Sequence, residues 1–291
     1  MNASAPLLVS GLQDIAPEYS AVLCDVWGVL HNGVSRFAGA AEALTDFRQK
    51  AGGAVVLITN APRRNAPIRE QLLALGIGPE VYDDIVTSGD VTREYIAAHP
   101  GAKVLHIGPE MHLSLYEDLD LTLTESEEEA TLVSCTGLFN DEQETPDDYR
   151  DQLERLAKRG LTMICANPDI VVERGDRLIW CAGALARLFE DFGGTVAILG
   201  KPHAPIYDAA CQRLEALRGA PVDRQKILCV GDGLPTDIRG AVSQDLDVLF
   251  ITGGIHASDF GPTLEPDEAL VRRRLAEEGL RARAAVPRLV W

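Results

Sequence analysis

The chain has 291 residues, of which 46% are hydrophobic, 24% charged and only 5% aromatic; such a length suits about two domains, with a mainly aliphatic core. Its formal net charge of −17 repels nucleic-acid backbones and anionic membrane surfaces, so neither is expected as a partner. The same charge repels phosphate, so any phosphate site must carry positive charge of its own. Met1 to Ser10 has neither the basic start nor the apolar run of a secretory leader, and no apolar stretch reaches the length of a membrane span. The six cysteines, Cys24, Cys135, Cys165, Cys181, Cys211 and Cys229, contain no CxxC pair, and several sit inside apolar runs. That fits buried thiols in a reducing compartment, so the expected location is cytoplasmic.

In chain order, a short apolar strand covers Ala21 to Val26 and carries Asp25 at its end, followed by a loop with Gly28 and Gly33. A helix from about Phe37 to Lys50 places Ala40, Leu44 and Phe47 on one face and stops at Gly52 and Gly53. A second strand, Ala54 to Thr59, is apolar until Thr59 and Asn60; a helix from about Asn65 to Leu75 and a short strand at Ile85 to Thr87 follow. The middle of the chain has its own helices near Val91 to Ala98 and Asp147 to Arg159, and strands at Val104 to Ile107, Leu132 to Cys135 and Leu161 to Cys165. Asn167-Pro168-Asp169 reads as a turn. The last part resumes the first pattern: helix Ala182 to Phe192, strand Thr195 to Leu199, helix Pro205 to Leu217, strand Ile227 to Val230, a helical segment Asp237 to Val242 and strand Val248 to Ile251. The alternation predicts an α/β fold, a doubly wound and mainly parallel Rossmann-like sheet interrupted by an inserted α/β domain. The expected division is a core of residues 1–89 and 182–291 with an insert of residues 90–181.

Chemistry-bearing residues stand where apolar strands end: Asp25, Thr59, Lys201 just beyond Leu199, and Asp232. Ligand sites of open α/β sheets lie at the C-terminal strand ends, at the point where strand order reverses. If the first strand and the Ile227 strand are neighbours there, Asp25 and Asp232 face each other. Two close carboxylates repel without a cation. Mg²⁺ removes that cost and takes carboxylates together with substrate phosphate oxygens. Asp232 and Asp237 also have a plainer reading as helix caps. His106, His112, His203 and His256 are scattered and show no metal-ligand spacing. A dinucleotide fingerprint fails because Thr236 stands where a third glycine belongs after Gly231-Asp232-Gly233, and a P-loop fails because Pro202 follows Lys201.

The ordered set Asp25-Val26-Trp27-Gly28-Val29-Leu30, Ile58-Thr59-Asn60, Gly200-Lys201-Pro202 and Gly231-Asp232-Gly233-Leu234-Pro235-Thr236-Asp237 resembles the haloacid dehalogenase-like hydrolases of the class IIA, NagD-type branch. Asn167-Pro168-Asp169 is similar to a signature of that branch's inserted domain. The resemblance implies a Mg²⁺-dependent phosphatase of a small phosphorylated metabolite, such as a sugar phosphate or a nucleotide. It assigns Asp25 as the nucleophile that forms an aspartyl-phosphate. Asp25, the Trp27 backbone carbonyl and Asp232 hold Mg²⁺, with Asp237 as a further ligand or a partner of the ligands. Thr59 binds phosphoryl oxygens, Lys201 balances charge, and Trp27, Gly28, Asn60 and Asn167 border the substrate. The insert is expected to act as a C2-type cap over Asp25, with the loops near Gly137 and Asn167 setting specificity and a homodimer formed through the cap. One position departs from the pattern. The family's acid–base aspartate, two residues after the nucleophile, is replaced by Trp27, whose indole can only donate a hydrogen bond. His31 is the nearest group able to take over. The alternative is a protein of the same fold that binds a phosphorylated ligand with weakened turnover.

Overall fold

The computed structural model describes residues 6–175 and 177–291; the first five residues, part of the segment read as lacking a leader, and residue 176 lie outside the described residues. The elements run β1 (Leu7–Leu8), β2 (Ala21–Cys24), α1 (Ala40–Lys50), β3 (Ala54–Thr59), α2 (Asn65–Ala74), β4 (Asp84–Thr87), α3 (Ser88–Ala97), β5 (Ala102–Ile107), β6 (Leu121–Leu123) and β7 (Leu132–Cys135). There follow α4 (Arg150–Lys158), β8 (Thr162–Cys165), β9 (Val171–Arg174), β10 (Arg177–Trp180), α5 (Ala182–Asp191) and β11 (Thr195–Ile198). The chain then forms α6 (Ala204–Arg218), β12 (Ile227–Gly231), α7 (Arg239–Ser243), β13 (Asp247–Ile251), α8 (Glu268–Glu277) and β14 (Ala284–Val286). Two compact units share these elements: residues 6–59, 69–86 and 202–291 form the first, and residues 60–68 and 87–201 the second.

The first unit is built on a seven-stranded sheet in the order β1-β14-β13-β12-β2-β3-β4. The pairs β12/β2, β2/β3, β12/β13, β13/β14 and β1/β14 are all parallel. From β2 the chain steps to β3 and β4 on one side, whereas β12, β13 and β14 step away on the other. The order therefore reverses between β2 and β12, which pair in the register Ile227↔Ala21 to Val230↔Cys24. Every residue of both strands is buried, as a strand covered on its two faces requires. Helix α1 seals part of one face with Ala40, Ala41, Ala43, Leu44 and Phe47, the stripe its spacing predicts.

The second unit has a five-stranded sheet in the order β11-β8-β7-β5-β6. All of its pairs are parallel, and its own reversal lies between β5 and β7. One face carries Leu105, Ile107, Val133, Cys135, Met163 and Cys165, packed with Leu153 and Leu156 of α4 and with Leu185 and Phe189 of α5. Helix α3 starts at a conventional cap, the Thr87 hydroxyl accepting the Asp90 N–H at 2.8 Å. Strands β9 and β10 form a separate antiparallel hairpin.

Two expectations change here. The strand Thr195 to Leu199, read as part of the core, joins the second unit: β11 pairs with β8 in the register Thr195↔Thr162 to Ile198↔Cys165, and α5 packs into the same core. The insert therefore runs from 87 to 201, with 60–68 added, rather than from 90 to 181. Hydrophobic periodicity identifies β11 as a strand but carries no information about which sheet it enters. The helical segment expected at Asp237 to Val242 begins earlier, as a π-helical turn over Leu234–Ile238 that leads into α7. Such turns are uncommon and cluster at functional sites.

Candidate active site

Beyond the C-terminal ends of β2 and β12, at the reversal of the first sheet, stand Asp25, Asp232 and Asp237. All three are buried, and each offers a carboxylate oxygen within 4.8 Å of the others. The sheet sets two of the positions: the Asp25 N–H donates to the Val230 carbonyl at 2.8 Å, which continues the β2/β12 ladder to the nucleophile candidate. The π turn sets the third by carrying Asp237 back beneath the end of β12.

Main-chain N–H groups fix the carboxylates. The Val26 N–H donates to Asp25 Oδ1 at 2.7 Å, the Ile255 N–H to Asp232 Oδ2 at 2.8 Å, and the Gly233 N–H to Asp237 Oδ2 at 3.0 Å. Charge-assisted bonds of this kind are the stronger class and orient each carboxylate without side-chain freedom. Asp237 thus serves the local turn and the acidic cluster at once. Two glycines let the main chain close on Asp232. Gly28 has φ +84°, and a Cβ there would lie 2.2 Å from Asp232 Oδ2; at Gly254 it would lie 1.9 Å from the same atom. The Gly254 and Ile255 contribution escaped the sequence reading, although Gly253-Gly254, one residue beyond the apolar run of β13, was a readable signal.

Three buried carboxylates this close are costly unless a cation balances them. Their donor set is all oxygen, which suits a hard divalent ion such as Mg²⁺ and not a soft one. Asp25, Asp232 and Asp237 therefore fit the implied metal.

Trp27 and His31 shape the adjoining loop. Their rings meet edge to face, with centroids 5.1 Å apart, and the Gly28 N–H donates to the His31 carbonyl at 2.9 Å. His31 is buried, and its Nδ1 accepts the Gly33 N–H at 2.9 Å. In the neutral ring the proton is therefore on Nε2. Thr59 ends β3, the neighbour of β2, and is buried there.

The other residues singled out from sequence, Asn60, Lys201 and Asn167, belong to the second unit. Asn60 Oδ1 accepts the Lys201 N–H at 2.8 Å, while its Nδ2 donates to the Lys201 carbonyl at 3.2 Å and to Asp169 Oδ1 at 2.9 Å. The amide expected to border the substrate is committed to holding the main chain of Lys201 against Asp169. Asn167 Oδ1 likewise accepts the Asp169 N–H at 3.2 Å, closing an Asx turn. These two asparagines position Lys201 and the turn. Sequence spacing could not show this, because the partners lie 141 and 109 residues away from Asn60.

Comparison with known proteins gives the chain's family. A family model described as haloacid dehalogenase-like hydrolase matches residues 22–122, and a second, HAD-hydrolase-like model matches residues 198–277. A crystal structure of a haloacid dehalogenase-like hydrolase from Brucella suis 1330 superposes with a TM-score of 0.87 at 48% identity, covering 97% of this chain and 100% of that one. The ribonucleotide monophosphatase NagD of Escherichia coli K12 is 26% identical over 240 residues, which is 82% of this chain and 89% of NagD. The sugar-phosphatase AraL of Bacillus subtilis is 25% identical over 268 residues, 90% of this chain and 94% of AraL.

Proposed function

Because the chain belongs to the haloacid dehalogenase-like hydrolases, in their NagD-type branch, we propose that it is a Mg²⁺-dependent phosphatase of a small phosphorylated metabolite, with Asp25 as nucleophile. The observation that carries this reading is the cluster of three buried carboxylates at the reversal of the first sheet. Substrates of the kind named for NagD and AraL, a nucleotide or a sugar phosphate, define the class to test.

In this reading a carboxylate oxygen of Asp25, oriented by the Val26 N–H, attacks phosphorus. The bond from phosphorus to the ester oxygen breaks, and the leaving oxygen keeps the electron pair and takes a proton. Water then cleaves the aspartyl-phosphate, returning the carboxylate and releasing inorganic phosphate. Asp25, Asp232, Asp237 and the Trp27 carbonyl would hold Mg²⁺, whose chemistry here is to neutralise charge on the phosphoryl oxygens. Thr59 binds phosphoryl oxygens and Lys201 supplies the local positive charge that an acidic chain must provide at a phosphate site.

The proton is the unusual part. Trp27 has none to exchange. His31 already spends Nδ1 on the Gly33 N–H, so it becomes imidazolium only by breaking that bond. We therefore give His31 the role of a fixed Nε2–H donor and wall beside Trp27, and assign leaving-group protonation to water or to the substrate itself. Turnover should then depend steeply on leaving-group pKa, with p-nitrophenyl phosphate cleaved faster than alkyl phosphates.

The test is phosphate release from a panel of small esters, with Mg²⁺ and with EDTA, for the wild type and Asp25→Asn. Release that needs both the ion and Asp25 supports the proposal. Ligand-induced stabilisation without any release favours the second reading, a binding protein of the same fold, for which Trp27 is the specific argument. Cytoplasmic residence and a homodimer formed through the second unit belong to the same proposal, checked by fractionation and light scattering. No helix among the described residues is long and apolar enough to cross a membrane.

A further inference from the structure

The loop after β2 locks Trp27 and His31 in place, and what it fixes is a shortage of proton acceptors around Asp25. Trp27 is half-buried, and its ring packs on the main chain of Gly33. Gly33 has φ +85°, and a Cβ there would stand 2.5 Å from Trp27 Cη2. The His31 ring is pinned on two sides, edge to face by Trp27 and through Nδ1 by the Gly33 N–H. Its one lone pair is thus engaged, and Nε2 carries the proton. Cys24 Sγ, 3.1 Å from the Asp25 carbonyl oxygen, is a donor to it. His256 follows the segment that holds Asp232, but its Nε2 is sealed from solvent and its Nδ1 faces Asp259 Oδ2 at 3.9 Å. Asp232 and Asp237 are the carboxylates that fit the metal. None of these described side chains of the first unit is placed to take a proton beside Asp25.

Transfer through Asp25 has two steps with unequal needs. In the first, an Asp25 oxygen attacks phosphorus and the bond to the ester oxygen breaks with its electron pair. A leaving group as weakly basic as p-nitrophenolate departs without a proton. For an alkyl ester this step is itself slow, so the second step shows only with a good leaving group. In the second, an incoming O–H group attacks phosphorus, and the bond from phosphorus to Asp25 breaks with its electron pair returning to the carboxylate. The proton of the nucleophile must go elsewhere, and a positioned base contributes about 10²–10⁴-fold to such a step. Without one, water attacks slowly, whatever the donor was. An alcohol has an advantage that water lacks. Its carbon skeleton can lie on the accessible part of the Trp27 ring, and orienting a nucleophile recovers rate that the missing base forfeits. Its proton then passes to solvent.

We infer that the aspartyl-phosphate on Asp25 outlives the departure of its leaving group, so that the chain is a phosphotransferase to small alcohols as well as a hydrolase. The inference rests on the phosphatase reading for Asp25 as nucleophile, while the fate of the phosphoryl group stands on the Trp27–His31–Gly33 loop.

The experiment mixes the full-length wild type and Mg²⁺ with p-nitrophenyl phosphate in a stopped-flow cell, then repeats steady-state turnover in rising glycerol. p-Nitrophenolate should appear in a burst of about one equivalent per chain, followed by a phase slower by about tenfold or more. Glycerol should raise the rate of p-nitrophenolate release while inorganic phosphate falls behind it, the difference being recovered as glycerol phosphate. Absence of a burst, or equal amounts of p-nitrophenolate and phosphate at every glycerol concentration, overturns the inference. Acid quench during turnover gives a readout that needs no rate. Intact mass should show one added phosphoryl group on most chains; a majority of unmodified chains at saturating p-nitrophenyl phosphate overturns the inference equally. Trp27→Asp replaces the indole by a carboxylate able to accept the proton. Phosphate release should rise, and the ratio of phosphorylated to unmodified chains fall, by about tenfold or more; a folded variant with that ratio unchanged sinks the role given to the loop. If the variant does not fold, the burst and the intact mass of the wild type carry the test alone. Failure of the phosphatase reading shows separately, as no Mg²⁺- and Asp25-dependent release of p-nitrophenolate at all.

Discussion

The two parallel sheets each reverse their strand order once, and the two reversals hold contrasting chemistry. Between β2 and β12 three carboxylates converge on main-chain N–H groups. Between β5 and β7 two neutral imidazoles share one hydroxyl. The residues just past the strand ends give one reversal a cluster that suits a hard cation and the other a neutral hydrogen-bonded group, His106 and His112 on the Thr136 hydroxyl. Architecture locates such sites; side-chain chemistry assigns them.

The strongest way to break this contrast is at the first reversal. Asp25→Asn should lower phosphate release by at least about 10⁴-fold, while the thermal midpoint in EDTA does not fall, because one of three repelling carboxylates is gone. A large drop in that midpoint would mean the cluster is not held under repulsion. Next, Gly254→Ala forces a methyl group onto Asp232 and should cost about 1–3 kcal/mol of stability by urea unfolding, with activity lost at any Mg²⁺ concentration. Recovery at high Mg²⁺ would show that Asp232 adapts.

Asn60→Ala removes the clamp on Lys201 and should cost about 1–3 kcal/mol, read by the same unfolding method. The smallest effect sharpens the second reversal. His106 and His112 sit at about 4 in the folded chain against an ordinary 6.5, so between those values the unfolded chain binds more protons. Stability should be full above about pH 6.5 and fall as pH drops toward 4. His112→Leu should make the midpoint less steep in pH across that window; an unchanged slope would mean His112 titrates normally.

Asp25, Asp232 and the reversal between their strands were legible because a charge after a fully apolar run contrasts sharply with what precedes it. Asp237 was legible only through the family resemblance, and the π turn that aims it was not legible at all, since one turn of any helix reads alike. The membership of β11 was hidden because an apolar strand suits either sheet. His106 and His112 looked scattered because their link passes through Thr136, a residue on another strand with no signature of its own. Asn60 was recognisable as part of a motif, whereas its task depends on partners more than a hundred residues away.

Gly28 and Gly254 bring main chain, rather than side chain, against Asp232. A site walled by side chains can swell by changing rotamers; one walled by backbone expands only if the loops after β2 and β13 themselves move. A divalent ion held by Asp25, Asp232 and Asp237 would therefore meet a wall on the Asp232 side that side-chain rotamers cannot enlarge.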